Sequence, residues 1–256
     1  MKKVLFVALG LTVNAITANA QDDLFGAPKR EAKKGFVISL NGSFDVPGAD
    51  MAKRFGISYR LGPSFFYKTQ NNWIIGAKAD FIFGNKIEED SFLANIEGFE
   101  KSHIGFDGAR VNINTFERGY MVGLQLGKIF AFSERHPDNG LLVLTSAGFM
   151  QHKILISTKN SGHVPQLEGG YKKGYDRLSN GVFVEQFVGY SHYSKNGLIN
   201  FNIGLDVVAG FNKGRREYLY DVMRPGNESR FDLLFGIKGG WYIPIFKRKS
   251  EELFFQ

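Results

Sequence analysis

From Ile199 to Asn212 the chain reads INFNIGLDVVAGFN, and its two faces separate cleanly. Ile199, Phe201, Ile203, Leu205, Val207, Ala209 and Phe211 fall on one side; Asn200, Asn202, Gly204, Asp206, Val208, Gly210 and Asn212 fall on the other. Alternation of this kind is a β-strand with one apolar face, because successive side chains point to opposite sides. Its length is the constraint. Strands in soluble sheets run mostly about 5–6 residues, whereas a tilted strand crossing a bilayer needs roughly 9–11.

Seven further runs can be set beside it. GFVISLNGSFDV opposes Phe36, Ile38, Leu40 and Phe44 to Ser39, Asn41, Ser43 and Asp45. FGISYRLGPSFFYK opposes Ile57, Tyr59, Leu61, Phe65 and Tyr67 to Ser58, Arg60, Ser64 and Lys68. WIIGAKADFIFG and GYMVGLQLGKIF repeat the pattern, as does FDLLFGIKGGWYIPIF near the end. LLVLTSAGFMQHKIL alternates less cleanly. GVFVEQFVGYSHY is the least regular, since no register puts both Glu185 and Gln186 on one face.

The connections alternate too. TQNN (69–72), SERHPDN (133–139) and SKNG (194–197) are short and polar, while 46–54, 85–118, 158–180 and 213–230 are longer. Short turns at one end and long loops at the other are the signature of transmembrane barrels. A sheet in hydrocarbon must close, because no water satisfies an open edge. The pattern therefore predicts an all-β fold: a closed antiparallel eight-stranded transmembrane β-barrel with long extracellular loops. Trp73 and Trp241 suit an aromatic girdle at the periplasmic side. A soluble sandwich is the competing architecture.

The start of the chain reads as a secretory signal: Lys2 and Lys3, the apolar VLFVALGLTV, then Ala18-Asn19-Ala20 before Gln21. The expected organisation is a signal peptide at 1–20, a periplasmic segment at 21–34, the barrel at 35–246 and a periplasmic tail at 247–256. An even strand count leaves both termini periplasmic. The chain has no Cys, so it gains nothing from disulfides. Aromatic content is 14% with 25 Phe and 31 Gly, which suits an apolar exterior around a crowded lumen. Net charge is +7, and +5 without Lys2 and Lys3. In an exported chain that favours lipid head groups as the acidic partner, and no nucleic-acid motif is present.

Eight strands enclose a space that side chains fill. The inward set includes Arg60, Lys78 and Lys238 against Asp80, Glu185, Asp206 and Asp232, with Gly42, Gly76, Gly123, Gly127, Gly204, Gly236 and Gly240 making room. Near-balance of charge predicts a buried ion-pair plug, since unpaired charges there are costly. A proton or ion path is the sharper and less economical alternative.

Other candidate sites lie in loops and ends. The histidines (His103, His136, His152, His163, His192) lack metal-ligand spacing, and no cofactor is expected. Ser102, His103 and Asp107 supply triad residue types on the longest loop, but a triad is defined by geometry and not by adjacency. In EEDSFLANIEGF, Phe92, Leu93, Ile96 and Phe99 suit one side of a short helix, either capping the barrel or facing a partner. In the next long loop, Tyr171, Lys172, Lys173, Tyr175, Asp176 and Arg177 form an aromatic-basic cluster fit for docking a protein or an anionic glycolipid. Phe254 and Phe255 follow the basic Lys247, Arg248 and Lys249, and are a second candidate contact.

The signal peptide, the GYDRLSNG loop and the GGWYIPIFKR ending resemble small outer-membrane β-barrel proteins of Bacteroidota. That resemblance implies an accessory part in an envelope assembly such as the type IX secretion and gliding apparatus, with no functional residues carried over. The resulting expectation is a non-enzymatic outer-membrane subunit that binds lipid and other envelope proteins through its loops and tail. A lipid-remodelling enzyme and a narrow channel are the alternatives.

Overall fold

The computed structural model describes residues 31–98, 103–158, 164–194 and 199–246. The expected signal peptide, Ser102, His163, Phe99 and the tail with Phe254 and Phe255 lie outside the described residues.

Eight long strands form the ring: β1 (Gly35–Gly48), β2 (Ser58–Lys68), β3 (Trp73–Gly84), β4 (Asn114–Ala131), β5 (Gly140–Ser157), β6 (Ser179–Tyr193), β7 (Asn200–Gly214) and β8 (Ser229–Phe246). Each pairs antiparallel with the next, and β8 returns to pair with β1, so the barrel is closed. The closing register runs from Gly35 opposite Phe246 to Gly48 opposite Leu233. Strand lengths of 11 to 18 residues meet or exceed the roughly 9–11 that a tilted crossing needs. Among the described residues no helix is long and apolar enough to cross a membrane.

The exterior has the composition of a lipid-facing wall. Leu40, Leu61, Ile75, Leu124, Leu126, Val184, Leu205 and Ile237 are exposed around its waist. Aromatics ring both ends: Phe36, Phe65 and Trp73 near the turns, Phe44, Tyr59, Phe81, Tyr120, Phe149, Phe211 and Phe231 near the loops. Phe36 stacks on Phe65 at 5.3 Å, and Phe211 meets Phe231 at 5.3 Å. Trp241 stands 64% exposed opposite Leu40. So large an apolar surface is stable in hydrocarbon and an aggregation hazard in water.

Two sequence expectations are overturned, and the least regular strand is resolved. Gly42 shares the parity of Leu40 and Phe44 and lies on the outer face, not in the lumen. In β6 it is Glu185 that points inward. Gln186 lies outside, where Thr145 Oγ1 donates to its Oε1 at 2.7 Å and its Nε2 donates to the carbonyls of Leu144 and Phe187. These bonds satisfy an amide that would otherwise be unpaired on an apolar wall. Strands β4 and β5 also run further than the alternation indicated, because Asn114 to Arg118 pair with Ser157 to Lys153 above the apolar belt. There neither face is uniformly apolar, so periodicity gives no signal.

Gly35 and Phe246 sit at one end with the short turns. The opposite end carries the additional elements: the four-residue helix α1 (Ala49–Ala52), a 3-10 turn at Asp90–Ile96, and small hairpins pairing His103–Ile104 with Arg110–Val111 and Arg216–Leu219 with Arg224–Gly226.

Lumen glycines are set by the neighbours they accommodate. A Cβ on Gly236 would collide with the carboxylates of Asp45 and Asp206. Gly236→Val should therefore destabilise the barrel by about 1–3 kcal/mol through overpacking, read as a lower urea midpoint for unfolding in detergent. Gly42→Val, on the open outer face, should be near neutral in the same assay.

Candidate functional site

The lumen is layered along its axis. Nearest the turns, Val37, Phe66, Ile74, Ile129, Leu142, Phe187, Tyr193 and Tyr242 form an apolar layer. Nearest the loops, Ile82, Met121, Met150, Phe183, Val208 and Leu234 form a second, continuous with Met51 and Phe55 from above. The charges lie between them.

Glu185 is the hub of that middle layer. It receives Arg60 Nη1 at 3.2 Å, Lys238 Nζ at 2.8 Å and Lys78, so that strands β2, β3 and β8 are tied across the lumen to β6. Arg60 also grips Asp45 through Nε and Nη2, both at 2.7 Å, and Asp206 at 2.5 Å. Lys78 pairs in addition with Asp80 at 2.5 Å. Three cations thus meet four anions, all buried. Asp45 belongs to this set, whereas Asp232 does not. Asp232 sits higher, accepting Asn212 Nδ2 at 2.7 Å and lying 3.0 Å from His152 Nε2. His152 is fully buried and packs edge-on to Phe55 at 5.4 Å.

Asp45 and His152 were recoverable from parity, since each lies in phase with inward neighbours. Glu117, which accepts a hydrogen bond from Ser58 inside the loop end of the barrel, was not. Its stretch of β4 lies outside the alternating run.

Little space is left. A cavity of ≈ 20 Å³ lies among Asn41, Lys78, Gln125, Asn202 and Lys238, room for about one water. At the turn end, buried Lys68 donates to Asp138 at 2.6 Å and to the Lys33 carbonyl at 2.9 Å, drawing the residues before β1 across the mouth.

The long loops fold over the other end. Phe92, Leu93, Val111, Val164, Leu167 and Tyr175 are buried against the upper apolar layer, with Ile96 packed beside them. Buried ion pairs stitch this cap. Arg177 donates to Glu89 at 2.9 Å and to Asp221 at 2.9 Å; Arg216 donates to Asp176 at 2.6 Å. Arg54 reaches Glu89 at 3.2 Å, the Arg177 carbonyl at 3.0 Å and Ser179 at 3.2 Å. Burial, with the like charge of Arg230, lowers the Arg54 pKa to about 10, with Glu89 opposing. Burial also opposes the charge on Arg177, but hydrogen bonds to Asp221 and the charge of Glu89 outweigh it and hold its pKa above the ordinary value.

The aromatic-basic loop therefore divides. Tyr175, Asp176 and Arg177 are buried and committed to contacts within the chain, Tyr175 accepting a hydrogen bond from Asn95 at 3.1 Å. Tyr171 and Lys173 are exposed and Lys172 is half-buried. His103 lies in its small hairpin, where burial lowers its pKa. Asp107 accepts the Ala109 amide at 3.1 Å, closing its own turn. Among the described residues no three His, Asp or Glu side chains gather as a metal site.

No family model matches the chain, and no curated protein matches it. Solved structures with a similar fold include Neisserial surface protein A (11% identity, TM-score 0.45, 84% of this chain and 100% of that one). Ail, the attachment invasion locus protein of Yersinia pestis, is similar at 13% identity and TM-score 0.43, over 82% of this chain and 99% of its own. AlkL, an outer membrane protein determined in lipid bilayers, is similar at 11% identity and TM-score 0.37, over 90% and 100%. Likeness at this level concerns fold alone, and the closed eight-stranded barrel rests on its own strand pairing.

Two substitutions separate barrel from cap. Glu185→Gln leaves three buried cations without their shared carboxylate and should cost about 3–5 kcal/mol, read from the urea midpoint in detergent. Arg177→Ala should leave the barrel's unheated gel shift intact while the cap loops are cut faster by protease.

Proposed function

We propose that this chain is a non-enzymatic bacterial outer-membrane barrel that anchors a folded surface cap, and that it serves as an accessory subunit of an envelope assembly. One observation carries the reading: the lumen is filled from end to end, and the loops above it form a packed, ion-paired platform. A filled barrel offers no water path, so the exposed parts of the cap and the turn-end segments are what remain for recognition. The apolar belt between two aromatic girdles supports membrane residence. Both barrel ends of the chain lie with the short turns, which in this reading puts them in the periplasm. Tyr171, Lys172 and Lys173 are the surface residues of the cap proposed to meet a protein partner, with Phe254 and Phe255 as the periplasmic contact. The sequence resemblance to Bacteroidota barrels makes the type IX secretion and gliding apparatus the process to examine.

A lumen of this kind should give no conductance steps in planar bilayers; steps abolished by Arg60→Gln would favour the channel instead. Mild-detergent extraction of the tagged protein should recover a stoichiometric set of envelope proteins. Their loss on Tyr171→Ala with Lys173→Ala would locate the contact, and recovery of the barrel alone would overturn the accessory role.

A further inference from the structure

At the loop end of the outer wall, the register sets Arg118 of β4 directly opposite Lys153 of β5. Directly opposed side chains have Cβ atoms about 4.5–5.5 Å apart, and like charges so placed repel. Neither forms a salt bridge among the described residues; the carboxylate of Glu117, turned to the lumen beside Arg118, acts on it only through the wall. The guanidinium of Arg118 lies 5.0 Å from the Phe116 ring centroid, with Nη1 donating to the Glu117 carbonyl at 2.6 Å. Those contacts fix its plane and leave Nε and Nη2 without an acceptor among the described residues. Polar groups continue around the wall: Gln151 is paired with Asn180, and Asn180 with Lys213, an exposed cation that likewise has no carboxylate partner among the described residues. Below them the aromatic row of Tyr120, Phe149 and Phe211 begins. Reading the outward-facing positions of β4 to β7 from end to end, none is Asp or Glu.

Such an arrangement, to which Arg215 donating to Asn180 Oδ1 adds a further cation, presents paired cations on the outer wall with no anion on that face. Its height decides the source: directly above an aromatic girdle is where lipid head groups meet the hydrocarbon. We propose that Arg118 and Lys153, flanked by Gln151, Asn180 and Lys213, form a binding site for the phosphorylated head group of an outer-leaflet glycolipid, with the acyl chains lying against the girdle and belt below. A phosphate between the two cations turns their repulsion into two charge-assisted hydrogen bonds, and the fixed Arg fork favours an oxygen-rich acceptor. Lys128, outward at the opposite end and 5.3 Å from the Trp73 ring centroid, is a single cation without this pairing and serves as the control.

The site rests on the membrane reading above, and the test keeps the two apart. Folded protein in neutral detergent is titrated with bisphosphorylated lipid A and followed by native mass spectrometry. Wild type should bind, and R118Q/K153Q should bind roughly tenfold more weakly, given two lost charged hydrogen bonds partly screened by solvent. K128Q should bind as wild type. Dephosphorylated lipid A should bind no better than to the double variant, and inorganic phosphate at the same concentration should not displace the lipid. Unchanged binding by R118Q/K153Q, or equal binding of the dephosphorylated lipid, overturns the proposal; displacement by inorganic phosphate overturns the lipid as its source. Should the double variant lose its unheated gel shift, K153Q alone decides, because Lys153 has no ion pair within the described residues to lose. Failure of the membrane reading shows separately, as release of the wild type from membranes on alkaline washing.

Discussion

The pairing of β8 with β1 is the constraint on which the rest depends. An antiparallel sheet with apolar residues on its outer face has no water there to satisfy a free edge. Fourteen residues of β1 face partners in β8, so the ring closes without an unpaired stretch along β1. Closure then fixes which side chains share the lumen and how tightly they must pack. Small residues follow from it: Gly236 and Gly240 stand where the side chains of Asp45, Asp206, Asn41 and Asn202 cross the interior.

Within that ring the charged layer has more to do with specificity than with strength. A buried ion pair gains little over an apolar pair once desolvation is counted, but removing one partner is costly. Glu185 is shared by cations from three other strands, so a slip of register in any of them would strand a charge in the lumen. Apolar layers above and below keep water away and so sharpen that penalty. The same layering leaves a cavity of only ≈ 20 Å³ within the lumen.

The cap shows how a loop with the composition of a docking surface is partly scaffold. Tyr175, Asp176 and Arg177 hold neighbouring loops together, while Tyr171 and Lys173 of the same segment remain at the surface. Their residue types gave no means of telling the two groups apart. Partners of Arg177 come from Glu89 and Asp221, each over forty positions away in sequence. No local pattern encodes such contacts.

What the sequence determined by itself was the strand content, the sidedness of most strands and the alternation of short turns with long loops. These follow from period-two hydrophobicity, which is local and needs only neighbouring residues to read. It also placed Arg60, Lys78, Asp80, Glu185, Asp206 and Lys238 inward, because parity along a strand decides the face. Only the tertiary structure decided who meets whom. Register across the ring set Arg118 beside Lys153, brought Asp45 level with Arg60 while leaving Asp232 higher, and placed Thr145 where it meets the outward Gln186. Each depends on strands far apart in the chain being brought level by closure, which no local periodicity records.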